Sequence, residues 1–308
     1  MFKINKIEGL VAAPFTPMDE NGNLNLSIVP LYYRMLQKNG VVGAFINGST
    51  GEGASMTSAE KQKNAEKWAE NLREGGRVRI INLVGGTSYS ECIDNAVLSE
   101  ELGFSAIALV APYYFKPSCD DQLAEFIARV GEAVPSLPVY FYHIPVLTGV
   151  CFPMFGFLKK ITQILPNFVG IKFTHEDFMD FFSCLTYQEG KYDLLWGRDE
   201  CLLPALALGC KGAIGSTYNY AAPLYNAIIK SFNEGDFIEA RKLQTKSINM
   251  IRLLGKYGGM ATGKAYMRYI GLDCGKFRSP LANPDESMYQ NFVNDVKQLE
   301  IDKYFCML

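Results

Sequence analysis

Histidine is scarce in this sequence, and its cysteines are scattered. His143 and His175 are the only histidines, and no Cys-x-x-Cys pair occurs among the eight cysteines. Zinc is usually bound by clustered cysteine and histidine side chains, so the sequence predicts no zinc centre, while a metal held by carboxylates and water stays open. We expect reduced thiols rather than disulfides. The cysteines are Cys92, Cys119, Cys151, Cys184, Cys201, Cys210, Cys274 and Cys306.

The sequence also lacks a strong charge bias and any long apolar run. Its formal net charge is −2 over 308 residues, which gives no electrostatic reason to expect nucleic acid or an anionic membrane as a partner. No uncharged apolar run is long enough to cross a bilayer, and the segment Met1–Lys6 has neither the apolar core nor the cleavage site of a signal peptide. We therefore expect a cytoplasmic protein with no nucleic-acid and no membrane partner.

What the sequence does contain is a repeated alternation of short apolar runs with amphipathic stretches. The apolar runs are continuous, which is typical of strands buried on both faces of a parallel sheet. Eight such runs, most followed by a helical pattern, predict an α/β fold, namely a (β/α)8 TIM barrel with additional C-terminal helices. The predicted strands are Gly9–Phe15, Gly43–Asn47, Val78–Val84, Ala106–Ala111, Val139–His143, Val169–Phe173, Asp193–Trp196 and Ala213–Gly215. The predicted helices are Ser27–Lys38, Ser58–Arg73, Ser90–Leu102, Asp120–Ala133, Pro153–Ile164, Asp177–Tyr187, Glu200–Leu208 and Pro223–Phe232.

We expect a single domain over residues 1–308, with the barrel in residues 7–233 and a C-terminal helical extension in residues 234–308. The extension contains helical patterns at Asp236–Leu254 and Asp285–Leu299, with a turn at Gly258-Gly259. An open doubly wound sheet is the alternative, because periodicity cannot show that a sheet closes. Against it, no Gly-x-Gly-x-x-Gly motif follows the first strand, where the sequence reads Ala-Pro-Phe-Thr-Pro.

Lys172 is the strongest candidate for chemistry. It lies in the apolar run Phe168–Phe173, and the carboxyl ends of barrel strands form the active site of this fold. Burial disfavours the ammonium form, so it would lower the pKa of the lysine and free the amine as a nucleophile. A protonated imine formed there would accept the electrons of a breaking carbon–carbon bond. The alternative is a strand-end lysine that reaches water or a carboxylate.

Two further strand ends carry polar or acid–base residues. The segment Gly48-Ser49-Thr50-Gly51 would present consecutive N–H groups and two hydroxyls, which suits a carboxylate, although the same residues are ordinary turn formers. Tyr142 could move protons or simply fill the barrel core. Strand alternation directs His143 to the opposite face from Tyr142, and we expect both histidines to be structural.

Taken together, these segments resemble the pyruvate-dependent class I aldolases of the dihydrodipicolinate synthase/N-acetylneuraminate lyase family. The resemblance implies that Lys172 forms a Schiff base with pyruvate and that Ser49 and Thr50 hold the pyruvate carboxylate. It implies that Tyr142 donates and accepts protons, that Tyr114 supports this hydroxyl network in a neighbouring subunit's site, and that no cofactor is needed. The matching motifs occur in the family's order between about Gly9 and Asn219: Gly48-Ser49-Thr50-Gly51-Glu52, Pro112-Tyr113-Tyr114, Tyr142-His143-Ile144-Pro145 and Gly170-Ile171-Lys172.

Within this family, three features favour the sialic acid lyases over the synthases. Leu147 stands where the synthases carry an arginine that binds a second carboxylate, and leucine cannot form that ion pair. The segments Lys172-Phe173-Thr174, Gly197-Arg198-Asp199-Glu200 and Gly215-Ser216-Thr217-Tyr218-Asn219 are similar to the corresponding lyase motifs. The resemblance implies binding of the sugar-chain hydroxyls by Thr174, Gly197, Asp199, Glu200 and Ser216. The alternative for Asp199 and Glu200 is that they cap the next helix.

The activity that the resemblance implies is that of a carbon–carbon lyase in sialic acid catabolism. It would cleave N-acetylneuraminate reversibly to N-acetylmannosamine and pyruvate, as a homotetramer built from two dimers. One alternative is another pyruvate-dependent aldolase, synthase or sugar-acid dehydratase, such as dihydrodipicolinate synthase; another is a non-catalytic barrel that binds a keto acid. Lys172, Tyr142 and Thr50 argue against the latter, because a sensor needs neither an amine nucleophile nor a proton shuttle.

Overall fold

The strands of the protein close into a barrel. In the computed structural model, which describes residues 2–308, each of the eight parallel strands pairs with the next, and β8 pairs with β1. The closed barrel confirms the predicted (β/α)8 fold and excludes the open doubly wound sheet. The strands are β1 (Gly9–Ala12), β2 (Gly43–Ile46), β3 (Arg79–Leu83), β4 (Ala106–Val110), β5 (Val139–His143), β6 (Phe168–Phe173), β7 (Asp193–Trp196) and β8 (Gly212–Gly215).

Helices connect successive strands and surround the barrel, and the last ones form the C-terminal extension. In chain order they are α1 (Val29–Lys38), α2 (Ser58–Arg73), α3 (Tyr89–Glu101), α4 (Asp120–Gly131), α5 (Pro145–Thr148), α6 (Met154–Ile164), α7 (Phe178–Gly190), α8 (Leu202–Ala207), α9 (Tyr218–Asn233), α10 (Phe237–Lys256), α11 (Ala261–Tyr269) and α12 (Glu286–Gln298). Several of their N-termini are capped by serine, threonine or aspartate side chains that accept a backbone hydrogen bond. For example, Thr57 and Glu60 form a reciprocal capping box at the start of α2.

Alternate strand positions contribute to two separate apolar layers. The layer inside the barrel includes Phe45 and Tyr142. The layer between strands and helices includes Phe141 and Phe173. His143 packs against both of these outer rings, with centroid separations of 6.4 and 5.1 Å. The prediction that His143 faces away from Tyr142 is therefore confirmed.

Several element boundaries differ from the predicted ones. The first strand ends at Ala12 rather than Phe15, because Pro14 has no backbone N–H to donate to a neighbouring strand. The predicted helix Glu200–Leu208 begins instead as a 3-10 turn at Asp199–Cys201 before α8. The helix predicted to begin at Pro223 starts at Tyr218, and its helical geometry is interrupted at Ala221, two residues before the proline.

Two helices were not predicted. The four residues of α5 are too few to show a helical period. The nine residues of α11 form a short helix in which every residue from Ala261 to Met267 is buried, including the polar Thr262 and Lys264, so its sequence does not match the pattern of a surface helix.

Features that would indicate a membrane span or a metal cluster are not found in the described part of the chain. No helix within residues 2–308 is long and apolar enough to cross a membrane. The same residues contain no group of three or more histidine, cysteine, aspartate or glutamate side chains arranged to hold a metal ion. The eight cysteines are free thiols, and most are buried.

Candidate active site

Lys172 and Tyr142 lie beside each other near the carboxyl ends of β6 and β5. The two residues are register partners across these parallel strands, which places their backbones about 4.8 Å apart, the usual spacing of adjacent strands. Both side chains are buried. An amine and a phenol so placed can act on one bound molecule.

The Lys172 side chain is enclosed by aromatic rings. The residue is 4% exposed, and its Nζ lies 3.9 Å from the centroid of the Tyr142 ring and 4.1 Å from that of Phe45. No carboxylate within residues 2–308 forms an ion pair with this Nζ at 4.0 Å or less. Burial lowers the pKa of Lys172 to about 7, and the charge of Asp199 opposes this shift. Unprotonated amine is therefore available near neutral pH.

Tyr142 keeps its proton at neutral pH. Burial raises the pKa of its phenol to about 12, while the nearby hydroxyls of Ser49 and Thr174 oppose the rise. Its ring packs edge-on against Phe45, with a centroid separation of 5.5 Å. The phenol can therefore donate a proton or relay one, but it does not rest as a phenolate.

The turn after β2 presents a row of free backbone donors. The N–H groups of Ser49, Thr50 and Gly51 find no acceptor in the described chain, whereas the N–H groups of Glu52 and Gly53 close the turn onto the carbonyls of Ser49 and Gly48, both at 3.1 Å. Thr50 is buried, and Ser49 is partly exposed. Consecutive free N–H groups form a site that favours an anion such as a carboxylate.

Asp199 presents one unpartnered oxygen. Its Oδ2 accepts hydrogen bonds from the Thr217 backbone N–H at 3.0 Å and from the Thr217 hydroxyl at 2.7 Å. Its Oδ1 is buried and accepts no hydrogen bond of good geometry within residues 2–308, although the Tyr218 hydroxyl lies near this carboxylate. Burial raises the pKa of Asp199 to about 6. Because a buried acceptor without a partner is costly, this oxygen suits a hydroxyl donated by a ligand.

Two glycines make room for this polar group. A Cβ at Gly215 would overlap the Asp199 carboxylate, and a Cβ at Gly197 would overlap the Thr174 side chain. Thr174 Oγ1 is buried and makes no hydrogen bond of good geometry in the described residues, although it lies near enough to Tyr142 to affect the pKa of the phenol. The structure therefore brings Thr174, Gly197 and Asp199 together at the ends of β6 and β7.

Glu200 and Ser216 occupy more open positions beside this group, and both are partly exposed. Arg198 forms ion pairs with Glu176 and with Glu200, the latter at 3.4 Å between Nε and Oε1. Neither the 3-10 turn Asp199–Cys201 nor α8 has a side-chain cap. Asp199 and Glu200 therefore form no side-chain cap, although both lie in the first turn of this 3-10 helix, where acidic side chains are favoured.

Tyr114 does not lie with the other predicted residues. It is 77% exposed and packs edge-on against Phe115, with centroids 5.0 Å apart. A cavity of about 450 Å³ opens next to the turn after β2, and its lining includes Ser49, Tyr113 and Leu147. Tyr113 rather than Tyr114 therefore faces the cavity of its own subunit.

The two histidines lie outside this cluster. His143 is buried in the outer apolar layer, and its ring centroid is 5.7 Å from that of His175. Burial lowers the pKa of His143 to about 3. It is therefore neutral at physiological pH and packs as an aromatic side chain.

Sequence reasoning missed two residues that shape the site. Phe45 covers the Lys172 amine, and alternation along the predicted strand Gly43–Asn47 could have indicated an inward aromatic there. Thr217 orients the Asp199 carboxylate. The segment Gly215–Asn219 that resembles the lyases includes Thr217, but its contact with Asp199 depends on how the loops after β7 and β8 meet.

The family model that matches this chain is described as the dihydrodipicolinate synthetase family, and it covers residues 6–299. The chain is 38% identical over 304 residues to the N-acetylneuraminate lyase of Xenopus tropicalis, a match that covers 98% of this chain and 99% of the relative. It is 37% identical over 303 residues to the N-acetylneuraminate lyase of Homo sapiens, covering 97% and 94% of the two chains.

Solved structures give a similar result. The N-acetylneuraminate lyase of Proteus mirabilis superposes with a TM-score of 0.92 at 36% sequence identity, and the match covers 96% of this chain and 99% of that chain. Sequence and fold are therefore both similar over nearly the full length.

Proposed function

The chain belongs to the dihydrodipicolinate synthetase family, and from this premise we propose that it cleaves N-acetylneuraminate reversibly to N-acetyl-D-mannosamine and pyruvate. Its relatives in Xenopus tropicalis and Homo sapiens are named N-acetylneuraminate lyase, a carbon–carbon lyase. The observation that carries the proposal is the buried Lys172 amine, with a pKa of about 7 and two aromatic rings around it.

The reaction begins with attack of the Lys172 amine on the keto carbon of the open-chain sugar acid. Loss of water gives an imine on Nζ, which takes up a proton and becomes cationic. The faces of the Phe45 and Tyr142 rings stabilise this cation, because each ring carries negative charge density on its face. Burial disfavours the ammonium ion and so supplies a free amine. The ring faces then stabilise the cationic imine, so burial does not prevent it from forming.

The turn after β2 holds the carboxylate next to the keto carbon. The free N–H groups of Ser49, Thr50 and Gly51 support this role, together with the two hydroxyls. A carboxylate fixed there places the neighbouring keto carbon within the barrel mouth, close to Lys172. Positioning of this kind replaces a bimolecular encounter with an oriented one.

The bond between C3 and C4 then breaks. Its electron pair moves into the imine and gives an enamine, while the C4 hydroxyl loses its proton and becomes the aldehyde of N-acetylmannosamine. Tyr142 relays that proton, receiving it from the hydroxyl and passing its own to the substrate carboxylate, because its raised pKa disfavours a free phenolate. The enamine takes up a proton at C3, and hydrolysis of the imine releases pyruvate and the Lys172 amine.

The hydroxyl-bearing tail of the sugar lies against the loops after β6, β7 and β8. We assign Asp199 Oδ1 as the acceptor for one tail hydroxyl, since it is buried and unpartnered. Thr174 Oγ1 offers a second buried polar atom without a well-formed hydrogen bond. Further contacts come from the Gly197 backbone, Glu200 and Ser216.

The alternative functions are less well supported. A synthase that acts on a carboxylate-bearing aldehyde needs a cation for the second carboxylate, and Leu147, which lines the cavity, cannot supply one. A barrel that only binds a keto acid has no use for a nucleophilic lysine beside a protonated phenol.

The assembly and the compartment belong to the same proposal. We propose a homotetramer made of two dimers, in the cytoplasm, acting in sialic acid catabolism. The exposed aromatic side chains of Tyr114 and Phe115, which are 77% and 85% exposed in the single chain, support a subunit contact at the loop after β4. Tyr114 would then complete the hydroxyl network of the neighbouring subunit.

A substrate comparison on wild type and one variant tests the function. Wild type should release pyruvate from N-acetylneuraminate and should not consume aspartate semialdehyde with pyruvate. Glu200→Leu should lower kcat/KM for N-acetylneuraminate by a factor that corresponds to about 1.5–3 kcal/mol of lost transition-state stabilisation, the range for a lost hydrogen bond to a charged group. Sugar acids with shorter tails should be affected less, because they never make the contact.

The matched control is Glu101→Leu, which removes an exposed glutamate at the end of α3 and should leave all rates unchanged. A wild type that condenses aspartate semialdehyde with pyruvate and ignores N-acetylneuraminate would overturn the proposed substrate.

A further inference from the structure

A buried ion pair joins the C-terminal extension to the turn after β2. Lys264 Nζ on α11 lies 2.8 Å from Oε1 of Glu52, and the two side chains are only 2% and 3% exposed. Lys264 also donates to the Lys276 carbonyl at 2.9 Å, and the Arg278 N–H donates to Glu52 Oε2 at 2.8 Å. The extension therefore holds both carboxylate oxygens of Glu52.

Glu52 is the residue on which the anion-binding turn closes. Its backbone is left-handed, with φ +59°, a conformation that a glutamate adopts only at a cost. Its N–H donates to the Ser49 carbonyl at 3.1 Å, and the following N–H, of Gly53, donates to the Gly48 carbonyl. The free N–H groups of Ser49, Thr50 and Gly51 belong to the loop that these two hydrogen bonds close. Fixing Glu52 therefore fixes the row of donors.

Arg278 makes a second connection between the same parts of the chain. Its guanidinium donates to the Ser55 carbonyl at 2.9 Å, to the Gly22 carbonyl at 2.8 Å and to the Glu60 carboxylate. The segment around Arg278 thus contacts the residues that follow the turn, up to the first turn of α2. The extension therefore contacts the turn after β2 at Glu52 and, through Arg278, at Ser55 and Glu60 beyond it.

The Lys264–Glu52 ion pair is better suited to positioning the turn after β2 than to stabilising the fold. An apolar pair of similar volume often stabilises a protein as well as a buried ion pair does, so stability alone does not require this ion pair. Its directed contacts do fix the position of the Glu52 side chain. Glu52 also lines the cavity that Ser49 lines. Without Lys264 its negative charge would repel an anionic ligand at that turn.

We propose that Lys264 is a positioning residue that acts through Glu52 to hold the turn Gly48–Gly53 in the geometry that binds the substrate carboxylate. The inference rests on the proposed function, because it takes pyruvate as the ligand of this turn. It assigns a role in catalysis to the C-terminal extension. A misplacement of about 1 Å in such a turn can cost about 100-fold.

The test measures how much pyruvate half-saturates borohydride trapping on Lys172. Lys264→Met should raise this concentration about 10-fold to 100-fold, while the trapped fraction at saturating pyruvate changes less than about threefold. Glu52→Gln, which keeps the side-chain shape, should raise it too. In the double variant the two effects should not multiply, because both act through one contact.

Tyr266→Phe is the matched control on the same helix. It removes a buried hydrogen bond to the Met250 carbonyl, 2.9 Å long and remote from the turn. It should lower the melting temperature without moving the half-saturating pyruvate concentration. If Lys264→Met does not fold, Glu52→Gln alone decides the matter.

The proposal is overturned if half-saturation stays within about twofold of wild type in the folded variants, or if the two effects multiply as independent ones do. A wild type that traps no pyruvate contradicts the proposed function instead. The two failures are therefore distinguishable.

Discussion

At the scale of single residues, the proposed chemistry depends on keeping an amine out of water. The Lys172 amine is surrounded by Phe45 and Tyr142 rather than by a carboxylate, so burial dominates its pKa. The charge of Asp199, the proposed acceptor for a sugar hydroxyl, opposes this shift. Under the proposed function, the same carboxylate would both contact the sugar tail and influence the pKa of Lys172.

The pH dependence of imine formation follows from this environment. Only the unprotonated amine attacks the keto carbon, so the rate of imine formation should rise with pH through about 7 and then level off. Asp199→Asn removes a charge that raises the pKa of Lys172, so its profile should shift to lower pH. Stopped-flow trapping at a series of pH values measures both profiles. A profile without a rise near pH 7, or a shift to higher pH in the variant, would contradict the assignment.

Tyr142 is predicted to serve the bond-breaking step more than imine formation. Tyr142→Phe keeps the ring over Lys172 but removes the proton relay, so cleavage of N-acetylneuraminate should slow by about 10²–10⁴. Borohydride trapping of pyruvate on the same variant should stay measurable. Cleavage at the wild-type rate would show that Tyr142 only packs in the barrel.

At the scale of elements, the strand ends could be predicted from the sequence, and the loops between them only in part. Lys172 and Tyr142 follow from the apolar strand runs, since the fold gathers the carboxyl ends of those strands, whereas Thr174 is indicated by the resemblance to the lyases. Thr217 and Lys264 could not be found that way, because their partners Asp199 and Glu52 come from other loops. Only the structure shows that Lys264 lies in a buried helix, and a buried lysine requires a partner such as Glu52.

Glycine at Gly170 is required by the packing of β6 against β7. A Cβ there would overlap the Asp193 backbone, its register partner. Gly170→Ala should therefore lower the free energy of unfolding by about 2 kcal/mol or more. The matched change is Gly255→Ala in α10, where a Cβ meets nothing within 4 Å, and which should raise stability by about 0.5–1 kcal/mol. Denaturant unfolding of both variants is the measurement, and equal effects would contradict this account of β6.

At the scale of the whole molecule, the division into a barrel over residues 7–233 and an extension over residues 234–308 within one domain stays a prediction. The contacts of Lys264 and Arg278 with the turn after β2 support it, because they tie the extension to the mouth of the barrel. A chain cut after residue 233 should therefore lose pyruvate binding as well as stability.

The proposed subunit contact predicts complementation between two inactive variants. Lys172→Met lacks the nucleophile, and Tyr114→Ala should lack the hydroxyl that a neighbouring subunit supplies. Mixed and reassembled, they should regain about a quarter of the wild-type activity, because half of randomly paired dimers are hybrids with one intact site each. No recovery, with exchange confirmed by sedimentation, would place the action of Tyr114 within its own subunit.

The most direct test of the account locates the covalent intermediate. Wild-type protein incubated with pyruvate and borohydride should gain one reduced pyruvyl group per subunit, found by peptide mass spectrometry on Lys172. Lys172→Met should fold, take up no label and release no pyruvate from N-acetylneuraminate. Label on a different lysine, or undiminished turnover in Lys172→Met, would contradict the Schiff-base mechanism.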